Sequence, residues 1–150
     1  MFQFFAEAAN LERLTPPFLR FRILTPAPII MAAGTSIDYQ LRLYGIPIRW
    51  RTRIETFERG ASFTDVQLHG PYRQWIHRHE FLDMDGAGTQ MRDTVDYQLP
   101  FGPLGVLVRR MFVRASLDRI FDYRRQVVSQ LFGDAPAASP GALAAPDERK

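Results

Sequence analysis

The fold of this chain is decided by residues 103–132, PLGVLVRRMFVRASLDRIFDYRRQVVSQLF. Apolar residues recur in this segment every three or four positions, which is the spacing of one face of an α-helix. Pro103 suits the first helical turn, where its missing N–H has no partner to lose, and Gly133 suits the C-terminal cap. The pattern therefore predicts one helix over Pro103–Phe132, about 45 Å long at a rise of about 1.5 Å per residue, which is enough to cross a small sheet.

Nearly everything before this helix reads as strands. Apolar and polar residues alternate in short runs separated by turn residues, a pattern typical of half-buried strands. The predicted strands are 18–24, 36–43, 47–57, 63–69, 73–82 and 89–99. A two-residue turn at Gly45-Ile46 is expected between the second and third strands, which would set Tyr39 opposite Thr52. Because most connections are short, these strands should form an antiparallel meander. The expected fold class is therefore α+β, a curved antiparallel sheet of about six strands wrapped around the C-terminal helix, and that shape leaves room for a pocket.

The two ends of the chain differ in pattern. Residues 2–14 carry apolar side chains at helical spacing that is broken near Asn10, and Thr15-Pro16-Pro17 ends the segment because proline disfavours helix continuation. Residues 133–150 are rich in Ala and Pro and offer little apolar surface to bury, so we expect a disordered tail. The sequence thus predicts one domain over 1–132 followed by that tail.

Composition limits the class of protein. The chain has 150 residues, of which 46% are hydrophobic and 23% charged, as expected for one globular domain. It has no cysteine, which excludes disulfides, thiolate nucleophiles and cysteine-based metal sites. No stretch resembles a signal peptide, and no run of about 18 apolar residues exists. We therefore expect a cytoplasmic location without stable membrane insertion.

The formal net charge of +3 raises the question of nucleic-acid binding. Arg49, Arg51 and Arg53 form the tightest basic group, and their period-two spacing places them on one face of a strand. Asp38 and Glu55 fall on comparable outward positions, so their negative charges offset the positive potential of these arginines. We interpret this surface as a solvated sheet face and expect no nucleic-acid partner.

The inward strand positions carry a group of polar residues in an otherwise apolar wall. Trp75, His77, His79 and Phe81 share one face of strand 73–82. Thr89 is expected to pair with Phe81, which sets Asp93 opposite His77 and Met91 opposite His79. Strand 63–69 should turn Asp65, Gln67 and His69 inward. The expected ligand-binding residues are Tyr39, Trp50, Thr52, Asp65, Gln67, Trp75, His79, Met91, Met111 and Phe112.

These polar residues admit three interpretations. They can satisfy one another as a buried network or anchor the polar end of a ligand, because buried polar groups require partners. Alternatively, Asp93 can orient His77 as a general base for a cofactor-independent cyclase or dehydratase, with His79 or Tyr39 as the proton donor. His77 and His79 can also point at one metal ion, with Asp93 or Asp65 completing the set. Because the sequence commits to no third ligand, we predict no metal site from it.

Several stretches of the sequence resemble a known family. They are residues 4–6 (FFA), 10–17 (NLERLTPP), 70–72 (GPY), 75–81 (WIHRHEF) and 97–105 (YQLPFGPLG). Together they resemble the ligand-binding SRPBCC group, the START-like or Bet v 1-like helix-grip superfamily, in its bacterial branch that includes polyketide cyclase/dehydrase-like proteins. The resemblance runs from about residue 2 to residue 132. It implies a curved sheet closed over the terminal helix around an apolar cavity.

What the resemblance implies about function is a small hydrophobic or aromatic ligand, with a lipid- or quinone-binding chaperone as a further alternative. No glycine-rich dinucleotide motif follows a strand, and we expect no cofactor. Family members usually have a strand before the first helix, whereas this chain starts within that helix. A misplaced start codon or a truncated chain would each explain this difference. A homodimer partner that covers the exposed sheet edge would explain it as well.

Overall fold

The computed structural model describes residues 1–100 and 113–133. Their strands form one antiparallel sheet with the order β1-β2-β3-β4-β5-β6, and this sheet with a C-terminal helix is the α+β meander that the alternating pattern predicts. The strands are β1 Arg22–Ile23, β2 Ser36–Leu43, β3 Ile46–Glu58, β4 Ser62–His69, β5 Gln74–Asp83 and β6 Thr89–Gln98. The helices are α1 Phe2–Phe5, 3-10 turns at Ala8–Leu11 and Pro17–Leu19, and α2 Arg114–Phe132.

The hairpin between β2 and β3 turns at Tyr44 and Gly45, one residue earlier than the sequence predicts. Both residues have positive φ, 51° and 82°, as two-residue hairpin turns that match strand twist require. Tyr39 consequently pairs with Trp50, not with Thr52 as expected. The observed register differs from the expected one by two residues, which is one full period of a strand, so the apolar side chains keep the face that their alternation assigns them.

The register between β5 and β6 is also displaced by two residues from the expected one. β5 continues through Asp83, the polar loop is reduced to residues 84–88, and Met84 donates its N–H to the Gly88 carbonyl at 2.9 Å. His79 is therefore the residue that pairs with Asp93, and His77 pairs with Val95. The prediction that Asp93 stands opposite His77 is wrong in register, although both side chains remain on the concave face.

Two irregularities interrupt the pairing of β3 with β4. They lie between Arg51 and Thr52 and between Ile54 and Thr56. Such bulges bend a strand and increase its twist, which helps to curve the sheet around α2. At the first of them β4 has one residue more than β3, so the alternation of side chains changes there and His69, expected on the inner wall, is exposed.

The N-terminal segment packs across the concave side and closes one end of it. Its predicted helical spacing is realised only as short turns, because Asn10 donates its side-chain N–H to the Phe4 carbonyl at 3.0 Å and holds the chain in a bend. Apolar residues lie in two clusters, one around Phe5, Leu14, Phe63 and Phe81 and another around Ala8, Ile37, Tyr39 and Trp50.

Helix α2 spans Arg114–Phe132 and ends at Gly133, whose φ of 82° is readily adopted by glycine. Predicted helical residues 103–112, including the expected ligand contacts Met111 and Phe112, lie outside the described residues, as does the predicted tail from residue 134. Within residues 1–100 and 113–133, no helix is both long and apolar enough to cross a bilayer.

Candidate functional site

A cavity of about 200 Å³ lies between the concave sheet face, the N-terminal segment and α2. Its wall is mostly apolar because β2 and β3 alternate and place their hydrophobic residues inward. The hairpin and helix meet at its rim, where the hydroxyls of Tyr44 and Ser116 are 2.8 Å apart. The described lining includes Ile37, Tyr39, Leu41, Leu43, Ile48, Trp50, Trp75, Leu117, Ile120 and Phe121.

One part of this wall is ionisable. Asp65, His77, His79, Asp93 and Arg124 form what we call the His–Asp network, and their side chains are between 6% and 15% exposed. The two imidazoles lie side by side with ring centroids 3.9 Å apart. Each imidazole bridges the same two carboxylates, one on β4 and one on β6.

The distances within the network are short on both sides of the rings. Asp65 Oδ2 lies 3.3 Å from His79 Nε2 and 3.6 Å from His77 Nδ1. Asp93 Oδ1 lies 2.7 Å from His79 Nδ1 and 3.4 Å from His77 Nε2. The nitrogens on the Asp93 side approach the carboxylate closely without the alignment of a hydrogen bond. The network is therefore compact but leaves buried polar atoms without well-aligned partners.

Arg124 on α2 completes the network, and the sequence pattern alone did not mark it as a site residue. Its Nη1 donates to Asp93 Oδ2 at 3.1 Å. A signal was present in the helical spacing, because position 124 falls three and four residues from Phe121 and Ile120 and from Val127 and Val128, on the apolar face. A charged residue on that face requires a buried partner.

The charges of the network shift the pKa values of its members. Burial would raise the pKa of Asp93, but His79 and Arg124 outweigh it and hold that pKa well below its usual range. Burial would likewise raise the pKa of Asp65, yet its hydrogen bond with His79 and the charge of His77 lower it. At neutral pH both carboxylates are therefore ionised.

The two histidines shift in opposite directions. Burial and the neighbouring charge of His79 lower the pKa of His77. Burial opposes protonation of His79 as well, but Asp93 and Asp65 together outweigh it and raise the pKa of His79. His79 is therefore the more readily protonated of the two imidazoles.

Apolar rings enclose the network. Phe63 stacks on His79 with centroids 4.2 Å apart, and Phe121 meets His77 edge-on at 5.8 Å. Thr52 donates its hydroxyl to Asp65 Oδ1 at 3.0 Å, or to the Val66 carbonyl at the same distance. Such surroundings lower the local dielectric response and strengthen each polar contact.

The structure distributes the sequence-predicted site residues unevenly. Those that line the cavity are Tyr39, Trp50, Thr52, Asp65, Trp75, His77 and His79. Asp93 lies behind the histidines, and Met91 packs against the cluster of Phe5 and Phe81. Gln67 does not reach the cavity lining, because its side-chain amide bonds both the carbonyl and the N–H of Tyr72, at 2.7 and 3.3 Å.

The convex arginine face carries acidic partners. Arg51 forms a bidentate ion pair with Asp38, in which Nε donates to Oδ1 at 2.7 Å and Nη2 donates to Oδ2 at 2.9 Å. This ion pair lowers the pKa of Asp38. Arg53 contacts Glu55 at 2.5 Å. Opposite charges interleave on this surface, as the strand alternation predicts.

Comparisons with known proteins identify the fold. No protein-family model matches the chain, and no curated protein matches it. Among solved structures, a protein named TTHA0849 from Thermus thermophilus is 18% identical, with 83% of this chain and 86% of that chain covered and a TM-score of 0.55. Ara h 8.0201 is 16% identical, with 84% and 88% covered and a TM-score of 0.55. Ginseng major latex-like protein 151 from Panax ginseng is 11% identical, with 86% and 84% covered and a TM-score of 0.55. At these identities the likeness is one of fold.

Proposed function

Because the chain has the helix-grip fold of Bet v 1-like proteins, we propose that it binds a small hydrophobic or aromatic molecule between the sheet and the C-terminal helix. The observation that carries this proposal is the cavity, whose described wall is largely apolar and aromatic. Ligand pockets typically combine such a wall with a few polar groups that fix orientation. The His–Asp network supplies these groups.

A ligand oxygen has two kinds of partner in this cavity. The indole N–H of Trp50 is buried and has no hydrogen-bond partner among the described residues, so it is available to donate to a carbonyl or hydroxyl. Asp65, His77 and His79 also line the cavity. An aromatic or polycyclic body bearing one or two oxygens fits this distribution better than a plain hydrocarbon, since a buried unpaired donor is costly.

Co-purification tests the proposal directly. The full chain, purified without detergent, is analysed by native mass spectrometry and then denatured and extracted to identify any small molecule released. Ile120→Trp adds an indole to the cavity wall and should abolish the adduct. Leu68→Trp, at an exposed position outside the lining, is the matched control and should retain it. Absence of any adduct after incubation with hydrophobic metabolite extract, or equal adducts in both variants, contradicts the proposal.

A second candidate, a cofactor-independent cyclase or dehydratase, is favoured by one contact: His77 Nε2 lies 3.4 Å from Asp93 Oδ1 while the ring lines the cavity. In this reaction His77 removes a proton from the carbon beside a ligand carbonyl, and the electron pair forms an enolate. The enolate carbon then attacks a second carbonyl of the same molecule, and the proton passes to the new alkoxide, so the product is an isomer. His79 or Tyr39 stabilises the enolate oxygen by donating a hydrogen bond to it, without transferring its proton.

Turnover separates the two functions. A linear poly-β-ketone incubated with the protein should cyclise if the second candidate is correct, and His77→Gln should stop the reaction while the exposed His69→Gln leaves it unchanged. A substrate that is bound and recovered unaltered rules out the enzyme and leaves the binding function in place.

Two further features bear on the biological setting. The lack of cysteine supports a cytoplasmic location. Strand β6 ends the order of the described sheet, and an unpaired strand is a template for pairing with a second chain, which supports a homodimer. Sedimentation velocity over a range of concentrations tests the dimer, and a monomer at every concentration contradicts it.

A further inference from the structure

Going beyond the binding of a hydrophobic molecule, we propose that Asp65, His77 and His79 form a three-ligand site for a divalent first-row transition metal, with an open coordination position that faces the cavity. Zn²⁺ and Co²⁺ are the ions of choice for two imidazoles and one carboxylate. Hard cations such as Mg²⁺ and Ca²⁺ prefer oxygen ligands alone.

Convergence of the three donors is the first observation. One ligand atom from each residue can be chosen so that all lie within 4.8 Å of one another. Asp65 on β4 pairs directly with His77 on β5, and His79 projects from the same face of β5 two residues later. The donors therefore stand on adjacent, hydrogen-bonded strands, which hold a site more rigidly than loops do.

The second observation concerns the ring nitrogens of the two histidines that face Asp93, on the side away from Asp65. His77 approaches Asp65 through Nδ1 and Asp93 through Nε2, whereas His79 approaches them through Nε2 and Nδ1. Metal-bound histidines usually direct their other ring N–H at a carboxylate or carbonyl, which fixes the tautomer and ring orientation. Asp93 occupies that place for both rings at once, and Arg124 holds it there.

Buried atoms without aligned partners are the third observation. His77 Nε2, His79 Nδ1 and Asp93 Oδ1 are buried and lack well-aligned hydrogen bonds, although the histidine–carboxylate distances are short. A metal bound at His77 Nδ1 and His79 Nε2 would place the ring proton of each histidine on the Asp93 side. A small rotation of the rings would then align both N–H groups with one carboxylate, which satisfies atoms that are otherwise costly to bury.

Position in the cavity decides what the metal would do. Asp65, His77 and His79 line the cavity, and Asp93 does not, so the ligand side of the site faces the hollow and the supporting carboxylate lies behind. Three protein ligands with one position left open are the arrangement of metal sites that bind a substrate or water. The open position would accept a carbonyl, hydroxyl or carboxylate oxygen of the molecule held by the apolar wall.

The charge balance is consistent with a cation. Two buried carboxylates face one arginine, and the remaining negative charge requires a positive partner. With metal, both histidines are neutral ligands and the ion supplies the positive charge.

Metal binding is measured on the tag-free full chain after treatment with a chelator, without any organic ligand. Titration with Co²⁺, followed by its visible absorption, and with Zn²⁺ by calorimetry should give one site per chain. His79→Ala should weaken Zn²⁺ binding at least a hundredfold, and Asp93→Asn should weaken it about 10- to 100-fold, as loss of an orienting partner does. His69→Ala and Asp96→Asn remove an exposed histidine and an exposed carboxylate and should change nothing.

Two results overturn the metal site. One is a wild-type protein that gives no saturable Co²⁺ spectrum, and the other is binding that His69→Ala removes and His79→Ala spares. Circular dichroism of each variant shows that it is folded, and the wild-type titration decides the question even if a variant is not. Because the organic ligand is absent, failure here leaves the hydrophobic binding function to its own test by co-purification.

Discussion

Replacing Arg124 by methionine tests whether the His–Asp network holds the helix to the sheet. Arg124 is 10% exposed and its Nη1 lies 3.1 Å from Asp93 Oδ2. Methionine preserves most of the apolar stem that the arginine packs into the interior and removes the charge. The variant removes the positive charge but keeps most of the packed stem, so it separates the contribution of the ion pair from that of the packing.

The expected magnitude follows from burial. Removing one partner of a buried pair typically costs about 3–5 kcal/mol, because the other charge stays buried without compensation. His79 Nδ1 remains 2.7 Å from Asp93 and offsets part of that cost, so the lower end applies, about 3 kcal/mol. That corresponds to roughly a hundredfold loss in the folded-to-unfolded ratio.

The matched control is Arg125→Met on the same helix. Arg125 is 70% exposed and its contact with Asp122 is 3.4 Å long, so its loss should cost at most about 0.5 kcal/mol. Both variants are compared with wild type by urea unfolding at pH 7. The double variant Arg124→Met/Asp93→Asn should be less destabilised than the sum of its parts. A cost for Arg124→Met within about 1 kcal/mol of the control, or additive effects in the double variant, would show that the ion pair does not hold the helix to the sheet.

Three further predictions concern pH, packing and the hairpin. The pKa of Asp93 is depressed in the folded state, so its stabilising contribution is present above about pH 4 and is lost as pH falls through the folded pKa. The stability gap between wild type and Asp93→Asn, measured by urea unfolding, should therefore narrow below about pH 4, and a gap that does not change with pH contradicts the expectation. Leu117→Ala, at a 3% exposed position, should cost about 2 kcal/mol in the same assay, and the exposed Leu131→Ala should cost little. Gly45→Ala should cost about 1 kcal/mol because φ is 82° there, and a neutral result contradicts the hairpin assignment.

The sequence predicts the meander well because alternation with period two is a strong signal in this chain. Registers are less predictable, since they depend on loop closure. Tyr44 adopts positive φ, which propensity disfavours for an aromatic residue, and the polar residue Asp83 extends β5 beyond the loop boundary that composition indicates. Both observed registers, β2 with β3 and β5 with β6, differ from the predicted ones by two residues, so each side chain retains its face.

Bulges are the features that alternation cannot locate. Between Gln67 and His69, β4 has one residue more than the facing part of β3, so His69 lies outside although an unbroken alternation predicts it inside. Alternation also places Gln67 in the cavity wall, yet its amide fits the backbone of the turn at Tyr72. The polar residues that alternation brings together correctly are those on regular stretches of β4, β5 and β6.

Arg124 could be found only by treating a charged residue on an apolar helix face as evidence of a buried partner. The helical pattern of 103–132 is carried by its hydrophobic residues, and residue type alone assigns an arginine to the surface. A buried arginine requires a carboxylate partner, and here that partner is Asp93, which lies on a strand distant in sequence. Helical spacing therefore cannot reveal this tertiary contact.

Fluorescence titration tests whether the cavity beside the His–Asp network binds a hydrophobic ligand. Both tryptophans of the chain, Trp50 and Trp75, line the cavity, so they should transfer energy to an anilinonaphthalene sulfonate bound there. We expect saturable binding of one fluorophore per chain, at least tenfold weaker in Ile120→Trp and unchanged in Leu68→Trp. Binding that is unsaturable, or equally strong when the cavity is filled, would contradict it.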